Sequence, residues 1–187
     1  QSPRITSYPS PGAAAAVWQR PVSDGGAPIL RYLVRISEPN SSTVFGPWRT
    51  AGSNSWTFTG LTKGANYKAQ VIAVNSQGNS PLTTFGFRQA TTPSAIPSAR
   101  ITAFPAPGQA IVAWVRPASD GGSRVTGYMV RVSRPNSTSE FGPWIRTTAT
   151  SKVLAGLRKG AVYRVQMAAN NSQGTSPLGT LSFTQQK

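Results

Sequence analysis

Few side chains capable of chemistry are present in this chain. Its 187 residues include no His and no Cys, and the only carboxylates are Asp24, Glu38, Asp120 and Glu140. Without an imidazole or a thiolate, neither a Ser-His-Asp nor a Cys-His arrangement can be assembled. Zinc lacks its preferred ligands, so no metal site is expected, and no cofactor. Asp24 and Asp120 occupy equivalent turns of two repeated halves and are expected to lie far apart. A glycosidase needs its two carboxylates within about 5–10 Å of each other. The reactive groups therefore predict that the protein is not an enzyme.

The chemistry that remains belongs to cations and aromatic rings. Lys and Arg number 19 against 4 Asp and Glu, a net charge of +15. Eight cations meet two acids in residues 1–96, and eleven meet two in the remainder. Small soluble domains carry net charges of about 2 to 8, so the first half is ordinary and the second slightly beyond. Missing acids cause the imbalance more than added bases do. Charged residues make up 12% of the chain, against about 25% in average proteins. Such a composition permits polyanion binding without compelling it.

The elements that must position these groups are repeated. Leu61-Thr62-Lys63-Gly64-Ala65-Asn66-Tyr67 returns 96 residues later as Leu157-Arg158-Lys159-Gly160-Ala161-Val162-Tyr163. The Leu ends one strand facing inward, Lys-Gly turns the corner, and the Tyr opens the next strand with a buried phenol. That hydroxyl needs a partner, and the backbone just upstream is within reach. This is the tyrosine corner of immunoglobulin-like sandwiches. Shifted by the same interval, the whole sequence aligns without a gap and roughly half its positions are identical, as tandem modules require.

Turn chemistry punctuates each half. Ser23-Asp24-Gly25-Gly26 and Ser119-Asp120-Gly121-Gly122 supply positive φ and Asp side chains that can bond their own backbone. Tyr32, Val34 and Ile36 alternate with Leu33 and Arg35, the period of a half-buried strand. Phe45-Gly46-Pro47-Trp48 and Phe141-Gly142-Pro143-Trp144 open a fourth strand in each half. Trp18, Trp114, Tyr32, Tyr128, Tyr67 and Tyr163 fall on inward faces and belong to the cores. The 18 Gly and 16 Pro suit short strands between turns. No apolar run is long enough to span a membrane. The expected organisation is module 1 at residues 1–92, a semi-rigid Pro-containing linker at 93–98, and module 2 at 99–187. Opening at Gln1 with neither Met nor a signal-like segment, the chain reads as a mature product or an excised fragment.

Strand-ending Trp, the Asp-Gly-Gly turn, Tyr-x-Val, the Leu-x5-Tyr corner, Val/Met-x-Ala-x-Asn and an Asn-x-x-Gly loop together resemble the fibronectin type III domain. The resemblance covers about residues 3–91 and 99–187 and implies an all-β chain. Its two tandem seven-stranded sandwiches would each have sheets A-B-E and C-C′-F-G. It also implies a spacer, adhesion or interaction module of the kind found in bacterial secreted, surface or virion proteins, outside the cell.

Alternation then assigns candidate contacts. Arg31, Arg35 and Arg131 point outward from strand C, and Lys68 and Arg164 outward from strand F. Leu33, Ile72 and Val74 share that outer face in module 1, where polar residues are expected. Arg among aliphatic side chains suits a protein contact. Partners are therefore expected to be other protein subunits, copies of itself included, in a surface assembly. Trp48 and Trp144, at an edge strand, are the candidate glycan contacts. The competing expectations are an acidic polysaccharide or other polyanion, or a passive spacer from a larger secreted enzyme. Specific nucleic-acid binding is not expected. No helix-turn-helix, zinc finger or RNP signature is present, and the exposed aromatics are not expected to interleave with the basic residues.

Overall fold

Alternating apolar and polar residues between Pro- and Gly-marked turns fold as strands throughout. The protein is seen in a computed structural model that describes residues 2–187, with no helix among them. The chain divides into two units, residues 1–91 and 92–187.

In the first unit the strands are β1 (Arg4–Ser7), β2 (Ala14–Val17), β3 (Arg31–Ile36), β4 (Arg49–Ala51), β5 (Ser55–Phe58), β6 (Asn66–Asn75), β7 (Gly78–Asn79) and β8 (Thr83–Arg88). One antiparallel sheet runs β1-β2-β5; the other runs β4-β3-β6, with β7 and β8 both paired to β6. These are the A-B-E and C′-C-F-G sheets, and β7 is the short return of the Asn75–Gly78 hairpin. The second unit repeats the plan with β9 (Ala99–Ala103), β10 (Ala110–Trp114), β11 (Gly127–Val132), β12 (Ile145–Thr147), β13 (Ser151–Leu154), β14 (Val162–Asn171), β15 (Gly174–Thr175) and β16 (Gly179–Thr184).

Each pair of sheets closes on its own core. In module 1, Trp18, Tyr32, Val34, Phe58, Tyr67 and Val71 pack with a run of buried alanines from both sheets. Module 2 repeats this with Trp114, Tyr128, Val130, Leu154, Tyr163 and Met167. Each Trp packs in a T-shaped pair with the neighbouring Tyr, ring centroids 5.5 Å apart, an arrangement the ring quadrupoles favour.

The corner forms as its residues require. Tyr67 is buried, and its hydroxyl accepts the Thr62 backbone N–H at 2.8 Å. Tyr163 accepts from Arg158 at the same distance. Tyr67→Phe removes the acceptor and keeps the ring. We expect it to cost module 1 about 1–2 kcal/mol in urea unfolding; a neutral result would show that water replaces the hydroxyl.

Pro39-Asn40 does more than interrupt a ladder. Asn40 has φ of 58°, a left-handed conformation that Asn tolerates. Its N–H donates to Asn66 O and its Oδ1 accepts the Asn66 N–H, so the turn is stapled to β6. Asn136 does the same with Val162.

Residues 93–98, expected as a linker, make specific contacts with module 2. Ile96 lies in the module 2 core, 6% exposed, and Pro93 is fully buried. Ser94 exchanges two hydrogen bonds with Ser119.

Candidate functional site

The outer face of the C′-C-F-G sheet is built by register. Val34 pairs with Arg49 across β3 and β4, so one residue further on Arg35 stands opposite Trp48. On its other side Arg35 pairs with Gln70 of β6. An isolated bridge from Ser37 to Phe45 brings a second ring alongside. The Arg35 guanidinium carbon lies 4.4 Å from the Trp48 ring centroid and 4.8 Å from that of Phe45. Its Nε–H donates to Gln70 Oε1 at 2.7 Å. Module 2 repeats the arrangement. Arg131 lies 4.4 Å from Trp144 and 4.6 Å from Phe141, and both its Nε and Nη2 donate to Gln166 Oε1.

This corrects the expectation that exposed aromatics and basic residues do not interleave. They do, once in each module. The physical reason is cross-strand pairing, which joins residues 13 and 35 positions from the Arg. Each ring attracts the cation by about 0.5–1 kcal/mol when exposed, and more once water is excluded. The contacts also hold an otherwise flexible side chain in one orientation. In module 1 no hydrogen bond ends on the two terminal nitrogens of Arg35 among the described residues. A fixed guanidinium with free donors is a fork shaped for a carboxylate.

The other candidate residues are placed as follows. Arg31 and Lys68 are exposed on this face, and Leu33 and Ile72 are half-buried side by side. Val74, expected at the surface, is buried at 6% exposure. It sits mid-sheet between Arg31 and Asn79, which flank it in register. Arg164 is half-buried, and its Nη1 reaches Thr138 O at 3.4 Å. Trp48 and Trp144 are half-buried, each with an Arg over its ring. A sugar could stack only where that cation is not. Sequence reasoning missed Phe45, Gln70, Phe141 and Gln166 as members of this site. The available signal was that Phe45 and Gln70 recur unchanged at the 96-residue interval as Phe141 and Gln166.

The acids are used locally. Asp24 Oδ1 accepts the Gly26 N–H and Asp120 Oδ1 that of Gly122. Arg134 and Glu140 form an ion pair at 3.5 Å, so exposed that it contributes little. Among the described residues no three His, Cys, Asp or Glu gather as metal ligands. Nor is any helix among the described residues long and apolar enough to cross a membrane.

Tyr8 is a titrating group of module 1 with no titrating counterpart in module 2. The Tyr8 hydroxyl donates to Arg88 O at 2.7 Å, and burial raises its pKa above the ordinary 10.0. Phe104 stands at this place in module 2. A raised folded-state pKa gives stability that is present below the unfolded value and lost as pH rises through the folded one. Wild type should therefore lose its advantage over Tyr8→Phe in urea unfolding as the pH climbs above 10.0. A difference independent of pH would contradict this.

Two sandwiches of A-B-E against C′-C-F-G, each with a tyrosine corner, define a class of module, and the chain belongs to it. It is a member of the fibronectin type III family, whose domain matches residues 7–85 and 95–185. Neogenin of Rattus norvegicus is 27% identical over 181 residues, which are 94% of this chain and 13% of that protein. Protein sidekick-1 of Gallus gallus is 30% identical over 169 residues, 84% of this chain and 8% of that protein. The chain thus spans a small fraction of the length of these relatives. Among solved structures, a two-domain fibronectin type III segment of chicken tenascin has a TM-score of 0.46 and 19% identity, covering 98% of each chain.

Proposed function

We propose that this chain is a non-enzymatic structural or adhesive protein, a subunit or decoration of a surface assembly that joins its neighbours through sheet faces and edges. In this reading it works outside the cell, at a cell or virion surface. The observation that carries it is the Arg35 stack beside Leu33 and Ile72. A cation held rigid by two rings loses little further freedom on binding. The half-buried aliphatic pair next to it adds apolar area, and Arg with apolar and aromatic groups is the composition of interface centres. The edge strands β4 and β12 also offer backbone groups to a neighbouring strand.

Sedimentation velocity over a concentration series tests the proposal. The wild-type average mass is expected to rise above the 19.7 kDa monomer. Ile72→Lys places a charge in the apolar centre and should return it to the monomer. A wild type that stays monomeric at every concentration sinks self-assembly.

The net charge of +15 favours a second reading, an acidic polysaccharide or other polyanion held by Arg31, Lys68 and Arg164, with Trp48 and Trp144 as stacking faces. Salt separates the two. Polyanion binding falls steeply with ionic strength, whereas an apolar contact survives about 0.5 M salt, where charges are screened within several ångströms.

A further inference from the structure

The sheet that carries the Arg35 stack is charged in one sense only. Strands β3, β4, β6, β7 and β8 contain the cations Arg31, Arg35, Arg49, Lys68 and Arg88 and no acid. The other sheet of module 1 contains a single cation, Arg4. In module 2 the equivalent strands carry Arg131, Arg146 and Arg164, again with no acid. Apart from Arg49, which pairs with the buried Val34, the register turns the module 1 cations to the outer face.

The groups around Arg35 are donors. Gln70 gives its Oε1 to the Arg35 Nε–H at 2.7 Å, which leaves its amide hydrogens without a partner among the described residues. Both terminal nitrogens of Arg35 and the Lys68 ammonium also lack one. Arg131 differs, because its Nη2 already donates to Gln166 Oε1 at 2.6 Å. Only module 1 therefore offers the whole fork, and two terminal nitrogens match the two oxygens of a carboxylate. The next row on the sheet is apolar, with Leu33 beside Ile72 one pleat along from Arg35 and Gln70. Beyond it stands Arg31, and on the far side of Arg35 comes Lys68, whose backbone is bonded to Ser37. An inorganic anion or a sugar acid has nothing to lay on the apolar row. A polypeptide has.

We infer that module 1 receives an acidic, extended segment of a neighbouring protein. A Glu or Asp of that segment sets its carboxylate across the terminal nitrogens of Arg35, and an apolar residue two positions away covers Leu33 and Ile72. Side chains on one face of an extended chain recur about every 6.5–7 Å. A segment running along β3 therefore meets these rows in step, with further acids opposite Lys68 and Arg31. The inference rests on the protein-contact reading above and deepens it, naming the chemistry the partner brings and the module that takes it.

The test selects random linear peptides displayed on phage against the immobilised full chain, then measures the enriched sequences as free peptides. Sequences with Asp or Glu two positions from an apolar residue are expected. Replacing that acid by its amide should weaken binding about tenfold or more, as loss of a charged hydrogen-bonded pair does. This arm uses the unaltered chain, so it stands whatever a variant does. Arg35→Lys keeps the charge without the fork and should weaken binding to a similar degree. Arg20→Ala removes an exposed cation outside this sheet and should leave binding nearly unchanged. A selection that enriches nothing overturns the inference, as do peptides that bind Arg35→Lys as well as wild type. Peptides that follow total negative charge and need no apolar residue assign the face to polyanions and overturn it too. Neutral apolar peptides lost with Ile72→Lys overturn the carboxylate yet leave the face a protein contact, which keeps the two failures apart. Self-association abolished equally by Arg35→Lys and Glu38→Gln would seat the Glu38 turn of a second copy on the fork, and would overturn the inference as well.

Discussion

Trp18→Ala is expected to destabilise module 1 by about 3–5 kcal/mol. The ring is 4% exposed and forms a T-shaped pair with Tyr32, while the strand leading to it contributes only the small side chains of Ala14 and Ala16 to the core. Those alanines leave a space between the sheets that the indole fills and that their own small side chains cannot close. A module of this size has about 5–15 kcal/mol of stability to lose, so a large part of it rests on one side chain. The counterpart Trp114→Ala removes the same ring, but Val112 stands in place of Ala16, so the gap it leaves is better lined. Urea unfolding should show the Trp18 variant as the more damaged of the two. A loss under about 1 kcal/mol would mean the sheets collapse onto the vacancy, against the usual behaviour of packed cores.

Gly12→Ala is the second large effect. Gly12 has φ of 70°, and a Cβ there would lie 2.9 Å from the backbone oxygen of Leu61. The left-handed conformation alone costs an L-residue about 1–2 kcal/mol. The clash adds to it, because its partner is backbone at the tyrosine corner and is held by the Leu61 N–H bond to Gly12 O at 2.9 Å. Gly60 supplies the control, with φ of 72° and no atom within 4 Å of its added Cβ. Gly60→Ala should show the conformational cost by itself, and Gly12→Ala clearly more. Equal losses from the two variants would show that the corner yields, and that the first loop is not wedged against it.

The same contrast between local and distant information runs through the candidate site. Arg35 and Trp48 are both conspicuous in the sequence, one as an outward cation and the other as an edge ring. Nothing in their spacing joins them. Residues 35, 48 and 70 meet only because β3 pairs with β4 on one side and β6 on the other. Val74 makes the point in reverse: alternation assigns it correctly to the outer face, yet its flanking strands bury it. Parity along a strand determines which way a side chain points. It does not determine what stands next to it.

By itself the sequence determined the duplication, the all-β class, the tyrosine corner and most of the two cores. Those depend on period-two alternation and on turn residues a few positions apart, which are local properties of the chain. Tertiary structure alone decided that Arg and aromatic rings stack across strands, that Val74 is covered, and that Pro93, Ser94 and Ile96 pack against module 2. Each of these is a meeting of segments far apart in sequence, set by strand register and by the shape of a folded end.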